Sequence, residues 1–319
     1  MRANNLEQTA LAEASLQLGI DIALESLDIK ERSRLRYAVL GLGRLGHTGM
    51  DYGSDLDLLV VFDDEAELAP SDLGTSATSP QEFYAGLASR LVRVLSSVTR
   101  EGFLYRIDLR LRPDGQSGPL AQGLGSLLGY LGERASAWEH SAYLKVREVA
   151  GDPDFGIDVR NAICEAAFDA ASRNPSLRQD LAHVKTRLES EKGRGNRRNI
   201  KWGPGGMTDV YFITRYLQLR ERVRFGTELG TTALIAHLGE RGHLDAEGTK
   251  QLLDGYGFLR SLDHWMRLLA DRPSPILPAS HVVLGDIARA MHLTSLDELE
   301  REYVYHTEAI RRVYVRIFG

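Results

Sequence analysis

A chain of 319 residues with 43% hydrophobic content is long enough to bury a full core and divides most simply into two domains. Its 39 basic and 44 acidic residues leave a net charge of −5, which excludes a general attraction for nucleic acid or an anionic membrane; any phosphate binding has to be local. The single cysteine, Cys164 in the helical-looking run Asn161 to Ala171, excludes an internal disulfide or a multi-cysteine zinc site, and no apolar run approaches membrane-spanning length. Met1 to Leu18 carries Glu7 and Glu13 and lacks the apolar segment and small-residue cleavage site of a leader, so a cytoplasmic protein is expected.

Leu11, Ala14, Leu18 and Ile22 recur at helical spacing within Leu6 to Leu27, predicting an opening helix packed beside the first strand. Tyr37 to Leu40 reads as that strand, Gly41 to Gly46 as a Gly-rich turn, and Leu56 to Phe62 as a second strand. Asp63 to Thr78 is acidic, then rich in Ser, Thr, Gly and Pro without periodicity, as in a surface loop. Ser79-Pro80-Gln81-Glu82 combines a capping serine, a proline at the first helical position and a glutamate at the third, so a helix starts there with Tyr84, Leu87, Leu91, Val94 and Val98 as its buried stripe. From Phe103 to Leu111 the chain alternates, with Phe103, Tyr105, Ile107, Leu109 and Leu111 on one face and Arg106, Asp108, Arg110 and Arg112 on the other, predicting a half-buried strand.

Beyond about residue 120 the apolar stripes become helical, marked by Trp138, Ile213, Leu217, Leu259, Leu262, Trp265 and Leu269, and Ser295-Leu296-Asp297-Glu298 caps the last helix. The expected architecture is α+β, a small domain over residues 1–150 followed by an all-helical domain over 151–319.

The chemistry is concentrated in Gly53-Ser54-Asp55-Leu56-Asp57-Leu58. The period of two puts Asp55 and Asp57 on one face of the strand while Leu56 and Leu58 face the core. Two carboxylates so close repel each other unless a cation lies between them, and hard oxygen donors at this spacing suit magnesium. A third carboxylate from a neighbouring strand completes a site able to hold two ions, and Asp108 is the candidate. Arg110 and Arg112 follow Asp108 at steps of two, and arginine forks match phosphate oxygens. The bland alternative is an exposed strand with surface ion pairs.

A sharper competitor is a dinucleotide fold, since Gly41-Leu42-Gly43-Arg44-Leu45-Gly46 matches G-x-G-x-x-G after a strand. It fails on length: His47 to Ser54 is too short for the crossover helix that a parallel strand pair requires.

These segments resemble one catalytic unit of the glutamine synthetase adenylyltransferase and adenylyl-removing enzyme family, within the polymerase-beta-like nucleotidyltransferase superfamily. The resemblance runs from about residue 37. It is carried by the Gly-rich turn with Tyr52 to Leu58, by Arg106 to Leu120, and by Trp138-Glu139-His140, Lys145-Val146-Arg147, Ala150 to Pro153 and Lys201 to Asp209. It implies a polymerase-beta-like nucleotidyltransferase domain followed by an all-helical bundle domain. It also implies that Gly53 and Ser54 approach the nucleotide phosphates, that Asp55, Asp57 and Asp108 hold the metals, and that Arg110 and Arg112 line the cleft. The activity it implies is transfer of AMP from ATP to a protein tyrosine, with Mg2+ as cofactor, glutamine synthetase as target and a nitrogen-signalling regulatory protein as a further partner. Two alternatives stand beside it: removal of AMP by phosphate with release of ADP, and a catalytically weak binding module. An attacking phosphate needs a basic pocket, which Arg44, Lys145 and Arg147 could form.

Three positions depart from the family's pattern, which usually has glycine at His47, an acid at Gly49 and glutamate at Tyr211. Tyr52 to Asp57, Trp138-Glu139-His140 and Gly206 to Asp209 resemble the transferring unit, whereas Asn199-Ile200-Lys201 leans toward the removing one. Other features have structural readings. Trp138, Tyr143 and Trp265 are expected in the core or an interface, Gly203 to Gly206 as a close-packed turn before a helix, Asp209 in that helix's first turn, Lys192 to Arg198 as a solvated loop, and His264 on a helix surface or at an interface rather than as a ligand.

Overall fold

The computed structural model describes residues 2–27, 29, 32–66, 77–226, 230–269 and 274–319, so most of the expected surface loop, residues 67–76, lies outside the described residues. The chain separates into two compact units, Arg2–Ala170 and Ala171–Gly319.

The first unit is built on a mixed sheet of β1 (Tyr37–Gly41), β2 (Leu56–Phe62), β3 (Ile107–Asp108), β4 (Ala121–Gly123) and β5 (Arg147–Gly151). β1 is central, antiparallel to β2 on one side and to β5 on the other. The outer edge of β2 is shared: β3 runs parallel to its start and β4 parallel to its end. Only α2 (Gly43–Gly46), one turn long, separates β1 from β2, and their antiparallel pairing removes the dinucleotide fold.

Strand alternation gives the sheet two apolar faces. Val39, Leu58, Val60 and Phe62 pack with α1 (Arg2–Glu25) and α3 (Pro80–Ser96). Ala38, Leu40, Leu59 and Val61 pack with Leu127 and Leu131 of α4 (Leu124–Glu133), with Tyr143 of α5 (Ala137–Tyr143), and with Phe155, Val159 and Ile163 of α6 (Pro153–Ser172). Because α6 closes that second face, the compact unit extends through it to Ala170.

Three sequence expectations are corrected in this unit. The opening helix forms, but Leu11, Leu18 and Ile22 are exposed; Ala12, Leu16, Ile20, Ala23 and Leu24 are buried instead, against α3 and β5. In α3 the buried stripe ends with Leu95 rather than Val94, and Val98 lies beyond the helix, 80% exposed. The expected strand from Phe103 to Leu111 shrinks to Ile107–Asp108, because the chain turns immediately after Asp108; Phe103 is exposed.

The capping signals hold. Ser79 and Ser295 accept from the amides of Glu82 (3.2 Å) and Glu298 (3.1 Å), starting α3 and α12 (Leu296–Phe318). In both motifs the glutamate reaches one residue further back than the usual reciprocal contact, to the amide and hydroxyl of Thr78 and of Thr294.

Among its described residues the second unit has helices and one isolated bridge, Asn199 with Ile276. Its elements are α7 (Leu177–Leu188), a π-helical turn Glu189–Gly193, α8 (Met207–Arg220), α9 (Gly230–Glu240), α10 (Ala246–Leu269), α11 (His281–Ala290) and α12. The turn before α8 packs as its glycines suggest: Gly205 has φ +72° and a Cβ there would lie 2.9 Å from the Thr307 Cα. Asp209 is fully buried rather than merely placed in a first turn. Its carboxylate lies 2.7 Å from Lys185 Nζ and 3.1 Å from the Arg311 guanidinium, accepts the Gly205 amide at 3.0 Å, and Lys185 also pairs with Glu189. His264, expected on a helix surface or at an interface, is buried on α10 beside Asp263, so the surface alternative falls away. Trp138 is 37% exposed and Trp265 half-buried, so only Tyr143 of the three expected aromatics is a full core residue.

Candidate active site

The site forms where β2 leaves the Gly-rich turn. Asp55 is exposed just before the strand and Asp57 is half-buried within it, while Leu56 and Leu58 are fully buried beneath. β3 pairs in parallel with this end of β2, with Leu56 opposite Ile107 and Asp57 opposite Asp108. The second and third carboxylates are therefore direct neighbours across one strand pair, whose backbones run about 4.8 Å apart.

Arg110 closes onto this pair. Its Nε lies 3.0 and 2.9 Å from the two Asp108 oxygens, its second terminal nitrogen donates to Oδ2 at 2.5 Å, and its own amide donates to Oδ1 at 2.8 Å. These bonds hold the Asp108 carboxyl below the usual carboxylate range; the Arg110 guanidinium is held above its ordinary value by Asp108 first, then by the charges of Asp57 and Asp55.

The turn explains its glycines. Gly43 has φ +53°, and a Cβ on it would stand 2.8 Å from the carboxyl carbon of Asp57 and collide with Oδ2. The carboxylate thus rests on bare backbone, and the Leu42 amide donates to the Asp57 carbonyl at 2.9 Å. Gly46 lies against the Lys145 carbonyl carbon in the same way, which seats α2 on the approach to β5. Gly53, at φ +63°, and Ser54 complete a turn organised by the buried Asp51: its carbonyl accepts the Ser54 amide, the Ser54 hydroxyl accepts its amide, and its carboxylate accepts the Tyr52 amide.

Arg112 is placed differently from the expectation of a charged strand face. It is buried, and its guanidinium donates to the carbonyls of Leu109 (2.7 Å), Gly118 (3.0 Å) and Gln116 (3.3 Å). It ties together the loop that follows Asp108. Tyr143 reinforces that loop by donating to the Leu111 carbonyl at 2.7 Å, and Arg134 reaches Asp114 at 3.2 Å. Of the basic candidates, Arg44 and Lys145 are half-buried, and Arg147 is bound to Glu13 of α1 and the Leu45 carbonyl. Glu139 is occupied by Tyr130 and by the amide and hydroxyl of Ser136. Asp51 and Tyr130 escaped the sequence reading, and Tyr143 is expected from it only as a core or interface residue, not as a support for this loop: their bonds run to backbone or to residues at no regular spacing from them.

Among the described residues no three acidic, histidine or cysteine side chains are gathered as a finished metal cage. The donor chemistry nevertheless fits a hard divalent ion. Asp55, Asp57 and Asp108 offer only oxygen, and the Gly43 cradle keeps one face of Asp57 clear of side chains.

Comparisons with known proteins follow the division into units. A family model described as glutamate-ammonia ligase adenylyltransferase matches residues 6–162, and one described as PII-uridylyltransferase matches residues 181–318. The bifunctional glutamine synthetase adenylyltransferase/adenylyl-removing enzyme of Xanthobacter autotrophicus is 34% identical over 88% of this chain and 28% of its own length. The proteins of the same name from Streptomyces coelicolor and Aromatoleum aromaticum are 32% and 30% identical, each over 98% of this chain, which covers 31% and 34% of them. The chain thus spans about a third of the length of these relatives. In its motif order and in these matches, which together run through both units, the chain is similar to one part of the glutamine synthetase adenylyltransferase/adenylyl-removing enzymes.

Proposed function

We propose that the chain is a nucleotidyltransferase that moves the AMP group of ATP onto a tyrosine of glutamine synthetase, working with Mg2+ and in its full form with two ions. The observation that carries this reading is the in-register placement of Asp57 and Asp108, with Asp55 just ahead and an arginine fork beside them. Bound metal would neutralise the phosphates and the leaving pyrophosphate.

The chain's own residues supply the rest. Asp55, Asp57 and Asp108 would hold the cation, and one carboxylate accepts the tyrosine proton as the phenol oxygen bonds to the α-phosphorus and the bond to pyrophosphate breaks. The bare backbone of Gly53 and the Ser54 turn receive phosphate oxygens, with Arg110, and Arg44 and Lys145 further out, balancing their charge. Arg112 serves this site by fixing the loop behind Asp108. A superfamily-type catalytic domain followed by a helical bundle, acting in the cytoplasm, completes the reading; no helix among the described residues is long and apolar enough to cross a membrane. The match of the second unit to a PII-uridylyltransferase model supports a nitrogen-signalling protein as regulator.

The test is incubation with labelled ATP, Mg2+ and glutamine synthetase. Label on the synthetase supports the transfer; ADP release from adenylylated synthetase with phosphate, and no incorporation from ATP, assigns the removing direction instead.

A further inference from the structure

Arg110 holds both oxygens of the carboxylate that the site needs for a cation. Its guanidinium meets Oδ1 and Oδ2 of Asp108 in a fork, and Asp55 and Asp57 act on the same group. A divalent ion shared between Asp57 and Asp108 competes for those oxygens, and two cations cannot hold the same lone pairs. The side chain is free to leave: it is 68% exposed, whereas its neighbour Arg112 is buried on three carbonyls.

We propose that Arg110 is the resident counter-ion of the carboxylate site, held on Asp108 until a divalent ion displaces it and then turned, fork outward, onto the phosphates of the nucleotide. This inference rests on the metal-dependent reading above. It adds an exchange: metal entry and arginine release are one event. The ion's arrival at Asp108 therefore frees a phosphate ligand, so metal and nucleotide bind with positive coupling.

The contact is exposed, so its worth is modest and the exchange is reversible.

The experiment is Mn2+ titration without nucleotide, followed by electron paramagnetic resonance of the free ion, on the whole chain and on Arg110→Gln and Asp57→Asn, with melting curves recorded in parallel. Arg110→Gln is expected to bind Mn2+ about fivefold more tightly, the scale of removing one exposed competing ion pair. It should also melt lower than the parent without metal and regain the difference with it, and lose the Mn2+-dependent gain in affinity for a non-hydrolysable ATP analogue. If Asp57→Asn abolishes Mn2+ binding while Arg110→Gln binds no more tightly than the parent, the metal site stands and the exchange is wrong. If Mn2+ binding is absent throughout, or indifferent to Asp57, the metal reading itself fails and this inference with it.

Discussion

The imidazole of His47 lies over Gly49, so that a Cβ on residue 49 would stand 2.6 Å from the ring Nδ1. The ring fills the space that a side chain at 49 would need, so the two positions are coupled. Gly49→Glu alone is expected to lower stability by about 1–3 kcal/mol through overpacking. His47→Gly with Gly49→Glu should recover most of it, giving a coupling of about 1 kcal/mol or more. Additive melting shifts in the double-mutant cycle would show the positions to be independent.

Asp57→Asn is expected to lower nucleotidyl transfer by roughly a hundredfold or more, about 3 kcal/mol, with the fold unchanged. The substitution keeps the size of a half-buried side chain on a strand whose apolar anchors, Leu56 and Leu58, are untouched. Activity assays beside circular dichroism separate the two effects, and retained activity removes Asp57 from the site.

Gly43→Ala should damage both stability and activity, since the new methyl has to push the Asp57 carboxylate away at a residue with φ +53°. Gly195→Ala is the control: φ is +67° and no atom lies within 4 Å, so it carries the backbone cost of about 1–2 kcal/mol alone. Equal melting shifts and unchanged activity in Gly43→Ala would mean that the cradle has no bearing on the carboxylate.

Lys185→Met is expected to destabilise the protein by about 3–5 kcal/mol, because it strips a buried carboxylate of its closest cation. Asp209 is fully buried, and without Lys185 its carboxylate keeps Arg311 and the Gly205 amide. Pairing the change with Asp209→Leu should cost less than Lys185→Met alone. Denaturant midpoints for the three variants decide it.

Alkaline pH should unfold the chain through its tyrosines. Burial pushes the hydroxyls of Tyr37, Tyr303 and Tyr314 up to about 12, and those of Tyr84 and Tyr143 are raised by the same cause. An unfolded tyrosine ionises near pH ~10. A raised folded value gives stability that is complete below that pH and lost as pH climbs toward about 12. Phenolate absorbance should rise together with the loss of circular dichroism; full ionisation in a folded chain would contradict the burial.

What the sequence disclosed and what it hid follow from the range of each signal. The aspartates on β2 and the caps at Ser79 and Ser295 are written in neighbours two or three residues apart, and all of those caps form. The face of α1 was misread because apolar residues occupy both sides of that helix, and only packing against α3 decides which side is buried. Arg112 alternates with Asp108 in the sequence, but its destination is set by a loop that turns back on it. The partnership of Lys185, Asp209 and Arg311 draws on three helices and has no local spacing at all.

Two residues of β3 meet β2, and the Leu56 amide adds one bond to Arg106 just before them. So short a ladder gives the strand carrying Asp108 few interactions of its own, and it belongs at the low end of the molecule's protection against hydrogen exchange, while β1, paired on both sides, belongs at the high end. The half-site on β2 is then expected to be the firmer and the half-site on β3 the looser. Any ligand that needs both must draw part of its binding energy into holding that strand in place, and amide exchange at Ile107 and Asp108 slows when it does.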